Sequence, residues 1–537
     1  MTDKHPFGTI GLPPLRELSL EKASEGLQSA HFTSVDLVKA YIARIHEVSE
    51  FNSVLQINPD AVAHAKKLDE ERLQTGSRGL LHGIPILVVR RGLRRNNIAT
   101  KDEKLDVSAG SYALLGAKPT NESSVIARLR AAGAVILGKT NLSEWANFRG
   151  LDITDGWSPR GGQTLGIYYP NSSTSGSSSG SAVATALGLS VAAIGTETSG
   201  SITSPAEFSN VVGLKPTRGL IGNDGTIPIS VRQDIIGTIT RNVKDAAYLL
   251  GIMAGRSEYD EMTWNIPRDQ ALDYVKFCKG TDLSGISIGI PRNTFEVDND
   301  YPVSAAFEIA LQSLSSAGAT IVDNTDFPAA EEFTKLNEQV KGIVRSSEFR
   351  RDFSRYIQTL ETNPNNIGST EDLIEFTKTH PEEEYPERDI GKFLWTQAEG
   401  IDVDSDKYTE MVQQERYFGG LGGILGAMEK YNVDLFAVPS YWGIANDLAA
   451  KMGFPVISIP LGYFPEGTPI EYDQGLVVQA PGMPFALTLL TKAFSDGVLL
   501  EVAYAFEQLN SVRNREPAPI KLPVTELRDV QHQVGKI

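Results

Sequence analysis

Residues 175–205 read SGSSSGSAVATALGLSVAAIGTETSGSITSP, and the interpretation of the whole chain depends on this stretch. Two serine/glycine clusters, at 176–181 and 199–201, flank an apolar run. A flexible linker would be glycine and serine throughout, so the apolar run argues against a linker. Its pattern predicts a buried helix over 182–189 and a short strand over 191–194. Because loops at the ends of buried elements commonly hold chemistry, we predict the active site at the two clusters.

Strands and helices alternate on both sides of this stretch. The apolar run GIPILVV at 83–89 predicts a strand that is buried on both faces. A helix, a strand and the start of another helix are predicted at 123–133, 134–138 and 142–148. Further strands are predicted at 211–217, 287–292, 319–323, 433–440, 454–462 and 485–492, and further helices at 34–45, 60–73, 243–254 and 497–509. This alternation indicates an α/β fold with a large mixed sheet.

The strands near the two ends of the chain have the same apolar character, which predicts a single domain over 1–537. Residues of about 260–430 are less diagnostic, and those beyond about 325 are strongly charged with a mostly helical pattern. We expect this region to be an insertion or cap that packs on the sheet and helps to shape a substrate pocket.

Charge and cysteine usage restrict the class of protein. The 537 residues carry a net charge of −17, and an acidic surface repels phosphate backbones and anionic lipids, so we expect no nucleic acid and no membrane as partner. The single cysteine, Cys278 in the helical pattern 272–280, excludes a disulfide within the chain and favours a reducing compartment. Residues 1–14 lack the apolar core of a signal peptide, and the longest apolar run is shorter than the roughly 20 residues that span a bilayer. We therefore predict a cytoplasmic protein in which Cys278 packs in the interior.

A serine at the second cluster has the surroundings that a nucleophile needs. Nucleophilic catalysis requires a base for the hydroxyl proton and donors for the oxyanion. The run TETSGS at 196–201 can present consecutive backbone N–H groups around one point, and Gly200 tolerates the angles of such a loop. Ser201 can attack a carbonyl there. The predicted oxyanion hole consists of Thr198, Ser199, Gly200 and Ser201.

The base is harder to assign from the residues. None of the seven histidines lies in a recognisable triad context; His82, just before the strand at 83–89, is the one to examine, and a structural role is its simpler interpretation. GSSSG at 176–180 matches the G-x-S-x-G pattern of a nucleophile elbow, but no histidine accompanies it. A residue other than histidine must therefore take the proton.

Residues 176–221 closely resemble the signature of the amidase signature family of serine hydrolases. The likeness extends to LHGIPILV at 81–88, GAVILGKTNLSEWANFRG at 133–150, FPVISIPLGY at 454–463 and AFSDGVLLEVAYAFEQ at 493–508. Residues 156–164 and 168–181 are most similar to the stand-alone amidases of fungi. The resemblance implies a large mixed sheet flanked by helices on both sides. It also implies hydrolysis of the C–N bond of a small-molecule carboxamide through an acyl-enzyme, with no metal or organic cofactor.

The resemblance further implies a Ser-cisSer-Lys triad. Ser201 matches the nucleophile, Ser177 matches the bridging serine that relays the proton, and 198–201 matches the oxyanion hole. Reasoning from the residues alone singles out Ser201 and its loop but leaves the three serines at 177–179 equivalent. Lys139, in GKTN, matches a family lysine with a structural role and is not the base.

The segment that should contain the catalytic lysine departs from the family. In the family this lysine directly follows the strand that matches 83–88, whereas here VRRGLRRNN at 89–97 stands where three residues are expected, and none of the nine is lysine. Counted from the left, Val89 takes the place of the lysine; counted from the right, Arg95 does. Valine has no basic group, and arginine stays charged at any working pH. Lys101, further along, already matches another family position.

Three explanations of the segment 89–97 stay open. The first explanation is a misplaced splice boundary in the gene sequence. The second is a catalytically inactive homologue with a binding or scaffold role. The third is recruitment of another base, such as Lys101. An amidase is the first function that we predict, the inactive homologue the second, and the glutaminase-type subunit of a tRNA-dependent amidotransferase the third. The sequence does not identify the amide, and it leaves a homodimer open.

Overall fold

Strands and helices alternate along the chain in the predicted manner. The computed structural model describes residues 12–89, 108–270, 272–296, 301–440, 443–510 and 512–531. Its strands are β1 (Val54–Ile57), β2 (Pro85–Val89), β3 (Lys118–Pro119), β4 (Val135–Thr140), β5 (Trp157–Ser158), β6 (Gly162–Gln163), β7 (Ala192–Glu197), β8 (Val212–Lys215), β9 (Ile235–Thr240), β10 (Ser287–Gly289), β11 (Thr320–Val322), β12 (Leu360–Thr362), β13 (Leu435–Pro439), β14 (Val456–Tyr463), β15 (Glu471–Asp473), β16 (Leu476–Gln479) and β17 (Pro484–Leu490).

Helices connect these strands and dominate the region that was expected to be helical. They are α1 (Leu20–Gln28), α2 (Ser34–Glu47), α3 (Ala61–Thr75), α4 (Ser124–Ala131), α5 (Ser179–Leu187), α6 (Thr203–Phe208), α7 (Val243–Met253), α8 (Pro302–Ser316), α9 (Ala330–Thr334), α10 (Glu338–Gln358), α11 (Thr370–Thr379), α12 (Gly391–Glu399), α13 (Asp406–Gly419), α14 (Leu425–Tyr431), α15 (Ile444–Met452), α16 (Asp496–Leu509) and α17 (Leu527–Gln531). In the part of the chain that the structure describes, no helix is both long and apolar enough to cross a membrane.

Eleven of the described strands form one mixed sheet in the order β1-β4-β2-β7-β9-β8-β14-β17-β13-β10-β11. β2 runs parallel to β4 and β7, and β10 runs parallel to β11 and β13. Between these two parallel groups, neighbouring strands are antiparallel. The predicted fold class, a large mixed sheet flanked by helices, is confirmed. The central strand β9 was missing from the predicted set.

β2 and β7 position the site. They are parallel neighbours, with Ile86 opposite Ala192 and Val88 opposite Ile194, and every residue of both strands is buried. The carboxyl ends of parallel neighbours meet at one edge of a sheet, which is where α/β proteins commonly bind ligands. The loop after β7 therefore lies beside the end of β2.

Residues 142–148 do not begin a helix, which corrects that prediction. They contain one 3₁₀ turn, Glu144–Asn147, and the three residues 145–147 have φ values of +49°, +55° and +66°. An α-helix of L-residues does not contain such left-handed angles. The turn buries the Trp145 ring, which makes edge contacts with Phe353 of α10 and Phe393 of α12 at centroid distances of 5.6 and 6.1 Å. Tertiary packing thus outweighs the local helical pattern.

The first helices are tied to residues near position 525. Arg44 of α2 is buried, and its guanidinium donates to Gly188 O at 2.8 Å, to Thr525 O at 2.8 Å and to Glu526 Oε1 at 3.2 Å. Glu526 Oε2 also accepts a hydrogen bond from Leu15 N at 2.8 Å. These hydrogen bonds connect the first helices to residues near the other end of the described chain.

Candidate active site

Residues 198–201 form the loop between β7 and α6, where the sequence predicts an oxyanion hole. The buried Glu197 at the end of β7 fixes this loop. Its Oε2 accepts hydrogen bonds from Ile202 N at 2.8 Å and from Thr203 N and Oγ1 at 3.0 and 3.1 Å. Thr198 Oγ1 donates to Asp234 Oδ1 at 2.5 Å. Both ends of the loop are therefore held by buried carboxylates.

The four backbone N–H groups of residues 198–201 donate no hydrogen bond within the described part of the chain. The next two N–H groups, those of Ile202 and Thr203, are both bound by Glu197. Gly200 has a φ of +82°, which glycine adopts without steric cost. Consecutive N–H donors in a turn attract anionic oxygen, so the loop can hold an oxyanion.

The first serine cluster packs directly against this loop. Ser178 N donates to Ser201 O at 2.9 Å. A Cβ atom on Gly176 would lie 3.2 Å from Gly200 O and 3.4 Å from Ser201 Cα, so a larger residue would crowd this close approach. The structure thus brings together the two clusters that the sequence singled out.

The three serines at 177–179 have different environments. Ser178 Oγ donates to Thr196 O and accepts from Thr196 N, both at 3.1 Å. The donor of this hydroxyl is therefore already used by β7. Ser177 Oγ and Ser179 Oγ are buried and have no hydrogen-bond partner among the described residues. Ser179 is the first residue of α5, whereas Ser177 directly follows the Gly176 that contacts the loop.

The peptide bond at Ser177 is not cis, which corrects the geometry that the resemblance implies. Among the described residues, the cis peptide bond is Tyr385–Pro386. The backbone on both sides of Ser177 is satisfied without a cis bond, because Ser177 O accepts from Ser143 N at 3.1 Å and Ser178 N binds Ser201 O. A trans bond is also the favoured state before any residue other than proline.

Ser201 lines a cavity of about 190 Å³. Its walls include the loop 198–201, Gly176 and residues 146–148, which follow the left-handed Trp145. Three charged side chains from separate parts of the chain also line it: Asp155, Arg345 of α10 and Lys392 of α12. Asp155 and Lys392 line an adjoining cavity of about 170 Å³ as well.

Two of these charged groups have strongly perturbed pKa values. Burial lowers the pKa of Lys392 to about 8; the charge of Arg345 also lowers it, and Asp155 opposes the shift. Burial raises the pKa of Asp155 to about 6, and Lys392 opposes this shift. Asn147 connects the two groups, since its carbonyl accepts from Lys392 Nζ and its Nδ2 donates to Asp155 Oδ1, both at 2.6 Å. Perturbed groups in a cleft beside a nucleophile are typical of functional sites.

His82 and Cys278 do not line the cavity at Ser201. His82 Nδ1 accepts from Arg78 N at 2.8 Å and Nε2 pairs with Leu68 O at 2.9 Å, so both ring nitrogens serve the local structure. Cys278 follows a short 3₁₀ turn, Val275–Phe277, rather than lying in the predicted helix, and burial raises the pKa of its thiol to about 12. Neither residue is a candidate base, in agreement with the sequence interpretation.

The position of the missing lysine lies at the end of β2. Val89 is the last residue of that strand and is fully buried. Lys139 is buried on β4, next to Val88 in the parallel register. Arg95, Lys101 and the rest of 90–107 lie outside the described residues.

Sequence reasoning missed the charged residues of the cavity and the carboxylate of Glu197. Glu197 could have been found, because a glutamate at the end of an apolar strand requires partners in the loop that follows. Asp155, Arg345 and Lys392 gave no such signal, since each stands in an ordinary local context and only the fold brings them together.

Comparisons with known proteins agree with this site. The profile of the amidase family matches residues 36–442. A protein of Arthroderma benhamiae named "Putative amidase" is 41% identical over 525 residues, covering 94% of this chain and 87% of that protein. A glutamyl-tRNA(Gln) amidotransferase chain of Brevibacillus brevis is 30% identical over 528 residues, covering 93% of this chain and 98% of that protein. The crystal structure of native peptide amidase from Stenotrophomonas maltophilia matches with a TM-score of 0.81 and 34% identity, covering 95% of this chain and 99% of that chain.

The matched region contains every part of the site described above. Residues 36–442 include β2, both serine clusters and the three charged residues of the cavity. The similarity also extends over nearly the whole length of the relatives, so it is not confined to the signature. The chain belongs to the amidase signature family.

Proposed function

We propose that this protein is an amidase that hydrolyses the C–N bond of a small carboxamide, with Ser201 as its nucleophile. One observation carries the assignment of the site: four consecutive N–H groups at 198–201 have no partner in the described part of the chain, and the residues that carry them, Ser201 included, line the cavity. Such donors stabilise the oxyanion of acyl transfer, and loss of one donor from an oxyanion hole lowers kcat by about 100- to 1,000-fold.

The reaction proceeds through an ester on Ser201. Ser201 Oγ attacks the carbonyl carbon, and the N–H groups of 198–201 bind the oxyanion of the tetrahedral intermediate. The C–N bond then breaks as the nitrogen takes a proton, so that ammonia or an amine leaves and the acyl group stays on Ser201. Water attacks the ester, which releases the carboxylic acid and restores the hydroxyl.

We assign the proton relay to Ser177. Its Oγ is buried, has no partner among the described residues, and follows the glycine that packs on the loop. Ser178 is a poorer candidate, because its hydroxyl already binds both polar groups of Thr196. By resemblance, the base that receives the proton comes from the end of β2, where the sequence has Val89, followed by 90–107 with the lysines Lys101 and Lys104.

The proposal is tested by labelling with a fluorophosphonate probe together with ammonia release from simple carboxamides. We expect the probe to modify Ser201 in the wild-type protein, as located by peptide mass spectrometry, and amide turnover to disappear in Ser201→Ala. Ser315→Ala, an exposed serine of α8, is the matched control and should keep both properties. Correctly folded wild-type protein with no label on Ser201, or full turnover by Ser201→Ala, would contradict the proposal.

The second candidate, an inactive homologue, is favoured by the segment 89–97 alone. It predicts a folded protein that neither reacts with the probe nor turns over any amide. The single domain over 1–537 and the cytoplasmic location stay predictions of the sequence, which leaves a homodimer open.

A further inference from the structure

The cavity beside Ser201 has an unusual charge for a site that binds a neutral amide. Arg345 and Lys392, two basic side chains, line it together with one acidic side chain, Asp155. All three lie around the same volume of about 190 Å³ as the nucleophile and its N–H groups. A substrate bound for attack by Ser201 must therefore place part of its structure among these charges.

Of the two cations that line the cavity, Arg345 is the one without a partner among the described residues. Its Nε is buried and has no hydrogen-bond partner in the described part of the chain, and the guanidinium forms no ion pair there. Two other arginines at this helix are paired, Arg351 with Asp352 at 2.6 Å and Arg232 with Glu348 at 2.9 Å. Arg345 is half-buried, and its shielded Nε lacks a protein acceptor while the side chain lines the cavity. Because shielding a donor without an acceptor costs free energy, the position favours an anion supplied from outside the chain.

Asp155 is not the anion that pairs with Arg345. Its Oδ1 accepts from Asn147 Nδ2 at 2.6 Å, and its Oδ2 accepts from Ser175 Oγ at 3.5 Å. Its charge acts mainly on Lys392, which also donates to Asn147 O. The cavity is thus lined by two cations and one carboxylate. The two cations also repel each other, since the charge of Arg345 lowers the pKa of Lys392. A bound anion would relieve this repulsion.

We propose that the site selects carboxamides whose acyl part carries a carboxylate, with Arg345 and Lys392 as the residues that bind it. This inference rests on the proposed function, because it requires the amide carbonyl at Ser201. A planar guanidinium can bind a carboxylate through two parallel N–H···O bonds, and the ammonium of Lys392 adds a second positive charge. The substrate class is a short monoamide of a dicarboxylic acid. An amide with a positive charge at the same place would be repelled.

Three amides of similar size test the proposal: succinamate, which is anionic, butyramide, which is neutral, and 4-aminobutanamide, which is cationic. We measure how each slows the reaction of Ser201 with the fluorophosphonate probe, and kcat/KM for ammonia release. Wild-type protein should bind and hydrolyse succinamate at least about tenfold better than butyramide, with 4-aminobutanamide the poorest of the three. Protection from the probe reports binding even where turnover is slow.

Arg345→Gln removes the charge and keeps a side chain of similar shape. It should lower kcat/KM and protection by about 10- to 100-fold more for succinamate than for butyramide, and the extra loss for succinamate should lie in KM rather than kcat. Arg345→Lys should retain part of the preference, since it keeps the charge without the planar fork. Arg355→Gln, an exposed arginine on the same helix, should retain all of it.

The outcomes separate the two proposals. If the probe labels Ser201 but succinamate and butyramide protect equally, or if Arg345→Gln weakens both equally, the anionic substrate class is wrong and the amidase assignment stands. If the probe does not label Ser201 at all in folded protein, the amidase assignment is wrong and the substrate class falls with it.

Discussion

Glu197 shows how one side chain organises the reacting centre. Its Oε2 binds the N–H groups of Ile202 and Thr203 and so separates them from the four N–H groups before them, which stay available to substrate. A catalytic loop needs this division, because donors that are satisfied by the protein cannot stabilise an oxyanion. The same carboxylate also binds the first residue of α6, Thr203, two positions after Ser201.

We expect Glu197→Ala to lower kcat by at least about tenfold and the free energy of unfolding by about 2–4 kcal/mol, because two buried N–H groups lose their acceptor. Glu197→Gln should be milder in both, since its carbonyl oxygen can accept the same bonds. Steady-state kinetics and urea unfolding measure the two effects. Equal losses in the Ala and Gln variants would show that the charge, rather than the acceptor, holds the loop.

The neighbouring serines should separate catalysis from stability. Ser177→Ala should reduce kcat by about 100-fold or more, as expected for loss of a proton-transfer group, with a change in unfolding free energy within about 0.5 kcal/mol. Ser178→Ala should lower the unfolding free energy by about 2 kcal/mol, because it removes both hydrogen bonds to Thr196. Ser179→Ala is the control for a buried hydroxyl without a partner. Wild-type kcat in Ser177→Ala would exclude the relay.

Val89 is the place to restore the family's base. Val89→Lys should raise amide turnover by about tenfold or more if the wild-type protein lacks an efficient base, since a buried amine can be neutral at working pH. Val89→Met has a similar shape and no amine, so it controls for disturbance of β2. Ammonia release measures the effect, and equal rates in the two variants would show that a lysine at this position does not act as base.

The loop 198–201 and Ser201 could be predicted from the sequence because their chemistry is local. The choice of Ser177 over Ser178 needed the structure, because only the fold shows which hydroxyl is bound to β7. The cationic pair could not have been predicted, since Arg345 and Lys392 meet only after α10 and α12 pack together.

At the level of elements, the segment Glu144–Asn147 illustrates how tertiary contacts change local structure. Its apolar pattern indicates a helix, yet the burial of Trp145 against α10 and α12 requires three left-handed residues in a row. The turn carries residues 146–148 into the wall of the cavity. A strained segment that is over-determined by its surroundings is common at functional sites.

Trp145→Ala should therefore lower the free energy of unfolding by about 3–5 kcal/mol, because it leaves a cavity between two helices and the turn. It should also reduce kcat, since residues 146–148 would no longer be held in the wall of the cavity. Leu394→Ala, an exposed apolar residue of α12, should change stability by less than about 0.5 kcal/mol. Chemical denaturation with fluorescence or circular dichroism measures both. A small loss of unfolding free energy in Trp145→Ala would mean that the turn is stable without the packing of the Trp145 ring.

Most strands and helices were predictable because their apolar patterns are strong. The strands β4, β13, β14 and β17 and the helices α2, α7 and α16 were predicted within a few residues of their ends. β9 was missed, because IIGTIT mixes apolar residues with threonine and glycine. That glycine is structural: a Cβ on Gly237 would lie 2.1 Å from Leu214 O of the next strand. The order of strands was beyond sequence patterns, since sheet pairing is set by contacts between distant residues.

The whole molecule should respond to alkaline pH through its buried lysines. Lys215, at the end of β8, is fully buried, and burial lowers its pKa to about 8 against the opposing charges of Glu197, Asp447 and Asp496. Between pH 8 and its ordinary value of 10.5, the unfolded chain binds this proton and the folded protein does not. The free energy of unfolding should therefore rise with pH across this window.

The difference between wild type and Lys215→Met isolates this contribution. The wild-type free energy of unfolding should rise by up to about 1.4 kcal/mol per pH unit relative to the variant between pH 8 and 10. Lys407→Met, an exposed lysine of α13, should leave the slope unchanged. Urea unfolding at several pH values provides the measurement. Parallel curves for wild type and Lys215→Met would show that Lys215 stays protonated in the folded protein.

The contacts of Arg44 have a consequence for synthesis. This buried arginine and its acceptor Thr525 O are separated by 481 positions. At a translation rate of about 5–20 residues per second, α2 leaves the ribosome roughly half a minute to a minute and a half before that acceptor exists. Until then the apolar face of α2 is exposed in the nascent chain, because the residues near 525 that pack beside it have not been synthesised. Exposed apolar surface favours aggregation or chaperone binding. We therefore expect synthesis of the residues near 525, rather than emergence of the serine clusters, to limit the appearance of active protein.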